Sequence, residues 1–271
     1  MVTFGVIFPP DQPPESLLAV ARATEAAGIP QLWLWEDCFK ESGLAPAAAA
    51  LAATQRLTVG IGLLPVPLRN AAITAMELAT VERMFPGRLR PGLGHGVLDW
   101  MGQVGARVAS PLTLLREYTD AVRRLLHGER LDVDGRYVHL HDVALDWPPE
   151  EAPPVLVGAQ RPKTLAVAGE LGDGVILTGE ETPDVTARLL DRVREARGHL
   201  DGFDVVNFAT VQAHSSVDEV VETVRAYAAV GVTTVPVVVV AGPDGPPAGE
   251  AFDLAGWVAD VGTEVQRRLT S

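Results

Sequence analysis

The chain is most informative first in what it has little of. It holds one cysteine, Cys38, in 271 residues, which excludes an internal disulfide and suits a reducing cytoplasm. Lys40 and Lys163 are its two lysines, and aromatic residues make up 6%. No Lys/Arg block stands against a formal charge of −13, from 35 acidic and 22 basic residues. Nucleic acid and anionic membrane are therefore not expected as partners. The apolar run "TTVPVVVVAG" falls well short of the roughly 20 residues a membrane-spanning helix needs. A strand pattern begins within a few residues of Met1, leaving no room for a secretion signal, so a cytoplasmic location is expected. Neither G-x-S-x-G nor H-E-x-x-H occurs, which sets aside serine hydrolase and zinc protease chemistry.

What is present is a large apolar fraction, 47%, enough for a sizeable core. Eight short β-branched or apolar runs recur along the chain, at 3–8, 31–35, 57–64, 88–94, 154–159, 174–178, 204–212 and 233–240. Helical patterns separate them. "PPESLLAVARATEAAG" opens on proline and closes on Gly28, and "NAAITAMELATVERMFPG" runs from a candidate cap, Asn70, to Pro86-Gly87. "SPLTLLREYTDAVRRLLHG" carries Leu112, Leu115, Val122, Leu125 and Leu126 along one side. Strand and helix alternating about eight times, in a chain close to the roughly 250 residues usual for such folds, predicts a closed (β/α)8 TIM barrel of the α/β class. An open doubly wound sheet is the runner-up. Asp134-Gly135 between two alternating runs predicts a β-hairpin insertion between strands 4 and 5. No linker or low-complexity tract divides residues 1–271, so one domain is expected.

Chemistry in such barrels sits at the C-terminal ends of the strands. "RPGLGHGVLDW" ends strand four, with Gly92, Gly94 and Gly96 alternating. This is G-x-G-x-G, not the dinucleotide fingerprint G-x-G-x-x-G. Glycines so placed mark a close approach to the backbone by a phosphate, a flat ring or another part of the protein. His95 and Trp100 would stand at the same mouth, as would Glu36, Asp37 and Cys38 from strand two. After strand five, "VGAQRPKT" opens a helix whose N–H groups, with Arg161 and Lys163, form a candidate anion site. Strand six ends in the small-residue exit "LTGEE". A flat, phosphate-bearing ring system fits these features together. His139 and His141 form an H-x-H, but in the hairpin and without other ligands, so no metal site is expected.

"LTVGIGLLPVPLRNAAITAMELATVERMFPGRLRPGLGHGV" and "PPVLVGAQRPKTLAVAGELGDGVIL" resemble the luciferase-like monooxygenase superfamily, in particular its actinobacterial F420- or flavin-dependent oxidoreductases. The resemblance covers almost the whole chain. It implies a barrel with an insertion, frequent homodimers, and FMN or the deazaflavin F420 resting on a bulge in strand three. That bulge, often with a non-proline cis peptide, would fall at Gly62-Leu63. The phosphate would lie against Gly158, Ala159 and Gln160, with Thr178 and Gly179 nearby, and Arg69 could reach an anionic tail. Sugar-phosphate dehydrogenases of the superfamily carry a His after the aspartate that ends strand two, and a Glu after the strand-four glycines. Here those places hold Cys38 and Val97, so that activity is not expected.

The expected cofactor-binding set is thus Glu36, Gly62, Leu63, Gly94, Gly96, Trp100, Gly158, Ala159, Gln160, Arg161, Lys163, Thr178 and Gly179. His95 and Asp37 are the candidate catalytic proton donors. The leading expectation is hydride transfer between F420 and a small organic substrate. The alternatives are an FMN-dependent monooxygenase using reduced flavin and oxygen, and a non-catalytic flavin-binding barrel.

Overall fold

The computed structural model describes residues 2–177, 182–241 and 252–271. In chain order these form β1 (Thr3–Phe8), α1 (Leu17–Ala26), β2 (Gln31–Leu34), α2 (Leu44–Ala52), β3 (Thr58–Pro65), α3 (Ala71–Met84), β4 (Leu89–Gly94), α4 (Leu98–Gln103) and α5 (Pro111–Leu126). A hairpin of β5 (Leu131–Asp134) and β6 (His139–Val143) follows. Then come β7 (Leu156–Ala159), α6 (Pro162–Leu171), β8 (Gly174–Leu177), α7 (Pro183–Arg197), β9 (Asp204–Asn207), β10 (Ala209–Gln212), α8 (Val217–Ala229) and β11 (Thr234–Val240). The chain closes on α9 (Leu254–Trp257), a π turn and α10 (Thr263–Thr270).

The strands run β1-β2-β3-β4-β7-β8-β9-β11, all in parallel, and β1 pairs again with β11 to close the cylinder. The hairpin stands apart as its own antiparallel pair between the fourth and fifth staves, as Asp134-Gly135 predicts. Sequence explains the helix starts locally. Asn70 Oδ1 accepts from the Ala72 N–H at 2.9 Å to cap α3, and Ser216 with Glu219 forms a capping box on α8.

The seventh stave corrects the expectation of one strand over 204–212. It breaks at Phe208, so that β9 bonds to β8 and β11 while β10 continues on β11 alone. The break coincides with the Phe208 ring turning in over Trp33, at 5.7 Å between centroids. Between β4 and α5 the chain adds the short helix α4.

Alternation along each strand sorts the core into two layers. Phe4, Val6, Leu32, Leu34, Val59, Ile61 and Val157 face the helices. Ile7, Trp33, Leu156, Ile176 and Val206 fill the cylinder itself. One indole takes the width of the interior: a Cβ on Gly60 would run into the Trp33 ring. Trp33 Nε1 is satisfied inside by Gln31 Oε1 at 2.9 Å.

A glycine that makes room for an indole cannot be enlarged without displacing it. Gly60→Ala is expected to cost about 1–3 kcal/mol by overpacking, read as a lower urea midpoint; an unchanged midpoint would contradict this packing.

Candidate active site

Strand β3 carries one extra residue against β4. Ile61 pairs with Pro91 and Leu64 with Leu93, so three steps on one strand meet two on the other. The surplus residue is taken up at Gly62-Leu63, whose peptide is cis. Leu63 is thereby turned inward across β4 and β7. A Cβ on Gly94 or on Gly158 would collide with its side chain, and one on Gly92 would lie 3.0 Å from Leu63 Cδ2. Three glycines on two neighbouring strands therefore make a seat for one leucine.

Above that seat the barrel mouth opens into a cleft of 1080 Å³. Trp35, Gly62, Leu63 and Phe208 are among its lining, with the Trp35 and Phe208 rings 5.8 Å apart. Among the residues expected from sequence, Glu36, Asp37, Gly62, Leu63, His95, Gly96, Trp100, Gly158, Ala159, Gln160, Arg161 and Lys163 line this cleft. Gly94 does not; its missing side chain accommodates Leu63, which corrects the view of that glycine as bare backbone facing a ligand. Thr178 and Gly179 lie outside the described residues. Sequence reading missed Trp35, Pro65, Val97, Pro111, Leu112, Pro162, Thr164 and Phe208. For Trp35 the signal existed: it alternates in step with the inward Trp33.

Glu36 is buried, and its charge is already spoken for. Arg69 grips it through two N–H donors at 2.5 and 2.8 Å, and the Gly43 N–H donates to Oε2 at 2.7 Å. Arg69 is thus tied down within the protein, its pKa raised first by the Glu36 bond. Glu36 positions the strand-two loop rather than meeting a ligand with a free carboxylate. Beneath it Tyr118 shares a 2.6 Å hydrogen bond with Thr74, and burial pushes its hydroxyl up to about 12.

Asp37 is half-buried. Burial raises its carboxyl above the usual range and Asp11 adds to this, while Lys40 opposes it. Burial likewise raises the Cys38 thiol, reinforced by Glu36 and Asp37, so it is no thiolate nucleophile. Burial lowers the pKa of His95, favouring the neutral ring; the Pro111 backbone opposes this, although no well-formed hydrogen bond reaches Nδ1. On its other side Nε2 meets Thr164 Oγ1 at 3.3 Å, joining the end of β4 to α6. Gly96, next in sequence, takes a φ of +70°, a conformation side chains disfavour, with Met101 and Pro65 3.0 Å from where a Cβ would sit.

Two arcs of the rim differ in character. Gln160, Arg161 and Lys163 are exposed where α6 begins, with no side chain capping that helix. The stretch from Val97 to Leu112 lines the cleft with Val97, Leu98, Trp100, Pro111 and Leu112 and brings no charge to it. In the hairpin, His139 pairs with Asp134 at 2.8 Å, and His141 lies 3.7 Å from Asp132. Among the described residues no group of three or more His, Cys, Asp or Glu is placed to hold a metal. Nor is any described helix long and apolar enough to cross a membrane.

A model of the luciferase-like monooxygenase family matches residues 2–257. The chain is 28% identical to the 5,10-methylenetetrahydromethanopterin reductase of Methanolobus tindarius over 68% of its own length and 56% of that protein's. It is 31% identical to the F420-dependent glucose-6-phosphate dehydrogenase of Kineococcus radiotolerans, over 70% of this chain and 61% of that one. The matched region thus spans less than two thirds of either relative. In fold it is similar to the coenzyme F420-dependent tetrahydromethanopterin reductase of Methanopyrus kandleri, with a TM-score of 0.82 at 21% identity over 98% of this chain and 99% of that structure.

The Glu36–Arg69 pair gives the site its most direct test. Arg69→Leu leaves a buried carboxylate without its cation and is expected to cost about 3 kcal/mol. Combining it with Glu36→Gln should restore more than half of that in urea melts. Additive losses in the double variant would show that the two side chains do not act as a pair.

Proposed function

Because the chain belongs to the luciferase-like monooxygenase family, we propose that it is an F420-dependent oxidoreductase. It moves a hydride between the deazaflavin and a small organic substrate. The observation that carries this reading is the join of two features in one cleft: an apolar floor raised on the β3 bulge at Leu63, and the cationic arc at Arg161 and Lys163. A planar ring with a phosphate-bearing tail needs both. The F420 dependence of the similar Kineococcus radiotolerans and Methanopyrus kandleri proteins supports it.

The fit can be judged on the protein's own atoms. Trp35 Nε1 and His95 Nδ1 are buried polar atoms of cleft residues without a hydrogen-bond partner. Buried polar groups left unpaired are uncommon and often belong to ligand sites. In this reading Gly62 and Leu63 support the ring face, and Gly96 and Trp100 border its edge. Gly158, Ala159, Gln160, Arg161 and Lys163 hold the phosphate, with Thr178 and Gly179 in the same role. Gly94 acts through Leu63, and Glu36 by fixing the loop. F420, when bound, supplies or accepts the hydride, so the chain's task is orientation and proton supply. Asp37 is the better placed donor, since its raised pKa keeps the carboxyl protonated to higher pH. His95, neutral at neutral pH, orients the α6 end of the site through Thr164.

The second reading follows the monooxygenases for which the family is named: catalysis with reduced FMN and oxygen. Titration of the pure protein with F420 and with FMN, followed by fluorescence, separates them. Saturable F420 binding is expected, weakened about tenfold by Arg161→Ala or Lys163→Ala, the loss of one charged contact. Asp37→Asn should keep that affinity while lowering turnover. FMN binding without F420 binding overturns the proposal.

A homodimer and a cytoplasmic location belong to the same proposal. The exposed Ile73, Met76 and Met84 on α3 give the pairing an apolar face. Sedimentation velocity should return twice the chain mass, and a monomer at all concentrations would remove the dimer.

A further inference from the structure

We propose that the second ligand of the cleft is an uncharged, apolar carbonyl compound, seated against the arc formed by Val97, Leu98, Trp100, Pro111 and Leu112. This rests on the F420 reading, which assigns the floor and the cationic arc to the cofactor. A cleft of 1080 Å³ exceeds the upper end of the roughly 300–1,000 Å³ usual for a single ligand. Space therefore remains for a substrate beside the ring.

The chemistry of that remaining space is set by what lines it. The charged side chains of the cleft are Glu36, Asp37, Arg161 and Lys163 among the described residues, apart from the ionisable His95. Glu36 is neutralised by Arg69, while Arg161 and Lys163 stand at the opening of α6. Asp99 and the exposed Arg107 belong to the same stretch but not to the cleft wall; the five residues that line the cleft there carry no charge for a phosphate, and among their side chains the Trp100 indole alone has a hydrogen-bonding group for a polyol. Val97 and Leu98 are 48% and 47% exposed. Two adjacent large apolar side chains left in water on the wall of one cleft are what an apolar ligand would cover. A site without polar partners also disfavours a hydroxylated ligand, whose own groups would lose water without replacement. Asp37 is then the one acidic side chain in the cleft not committed to an ion pair, and so the group available to protonate a carbonyl oxygen as the hydride is delivered.

The test is calorimetric, on protein saturated with oxidised F420, with the cyclic ketone carvone and glucose 6-phosphate as probes. Carvone should bind, and Val97→Glu should weaken it at least tenfold while F420 affinity and the thermal melt stay as in wild type. Leu98→Ser, a milder change at an exposed position, should weaken it in the same direction. Glucose 6-phosphate binding as tight as carvone, or carvone binding indifferent to both substitutions, overturns the inference with the cofactor reading intact. Wild-type protein that takes no F420 in the preceding saturation step overturns the cofactor reading instead, and this inference with it.

Discussion

Leu63 lying in a seat made by Gly92, Gly94 and Gly158 is the contact from which the rest of the site follows. One surplus residue on β3 turns that leucine inward, and the glycines of β4 and β7 leave it space. Below it the barrel is shut by Trp33 against Gly60. Above it the floor is apolar and open to the mouth. Were Gly94 or Gly158 larger, Leu63 would have to move; a larger Gly92 would first strike Ile176 and the Ile61 carbonyl.

A second layer of constraint holds the rim. Glu36 binds the loop at Gly43 through its carboxylate and binds Arg69 from the start of α3. His95 and Thr164 join the end of β4 to α6. These contacts tie four separate stretches of chain together in two pairs, so that a cleft assembled from many segments still has a defined shape. Preorganisation of this kind lets a protein whose cofactor carries the chemistry contribute mainly by orientation and by the ionisation of a few groups.

Much of this architecture could be read from the residues. Strand-helix alternation specified the closed barrel, and Asp134-Gly135 specified the hairpin, because both are local signals of backbone geometry. The interruption at Phe208 could not be read, since "DVVNFATVQ" is uniformly strand-like and only the approach of Trp33 and Trp35 decides where the ring goes. The glycines announced a close approach without saying what approaches. For Gly94 the answer is Leu63, a residue 31 positions earlier in the chain, and no spacing rule encodes it. Arg69 and Glu36 are likewise partners only in space. The apolar arc from Val97 to Leu112 was the least legible part, for α4 is too short to show a periodicity and Pro111 and Leu112 lie in the first turn of α5, so no pattern marks which side chains turn toward a ligand.

If the leucine seat is the platform for a deazaflavin ring, a crystal structure of the protein grown with F420 will show it. The ring is expected in van der Waals contact with Leu63, its phosphate beside Gln160, Arg161 and Lys163, and the leucine still seated on its glycines. A ring bound instead in the smaller 370 Å³ cavity beside Arg69 and Tyr118, or Leu63 expelled from its seat to admit it, would contradict the claim.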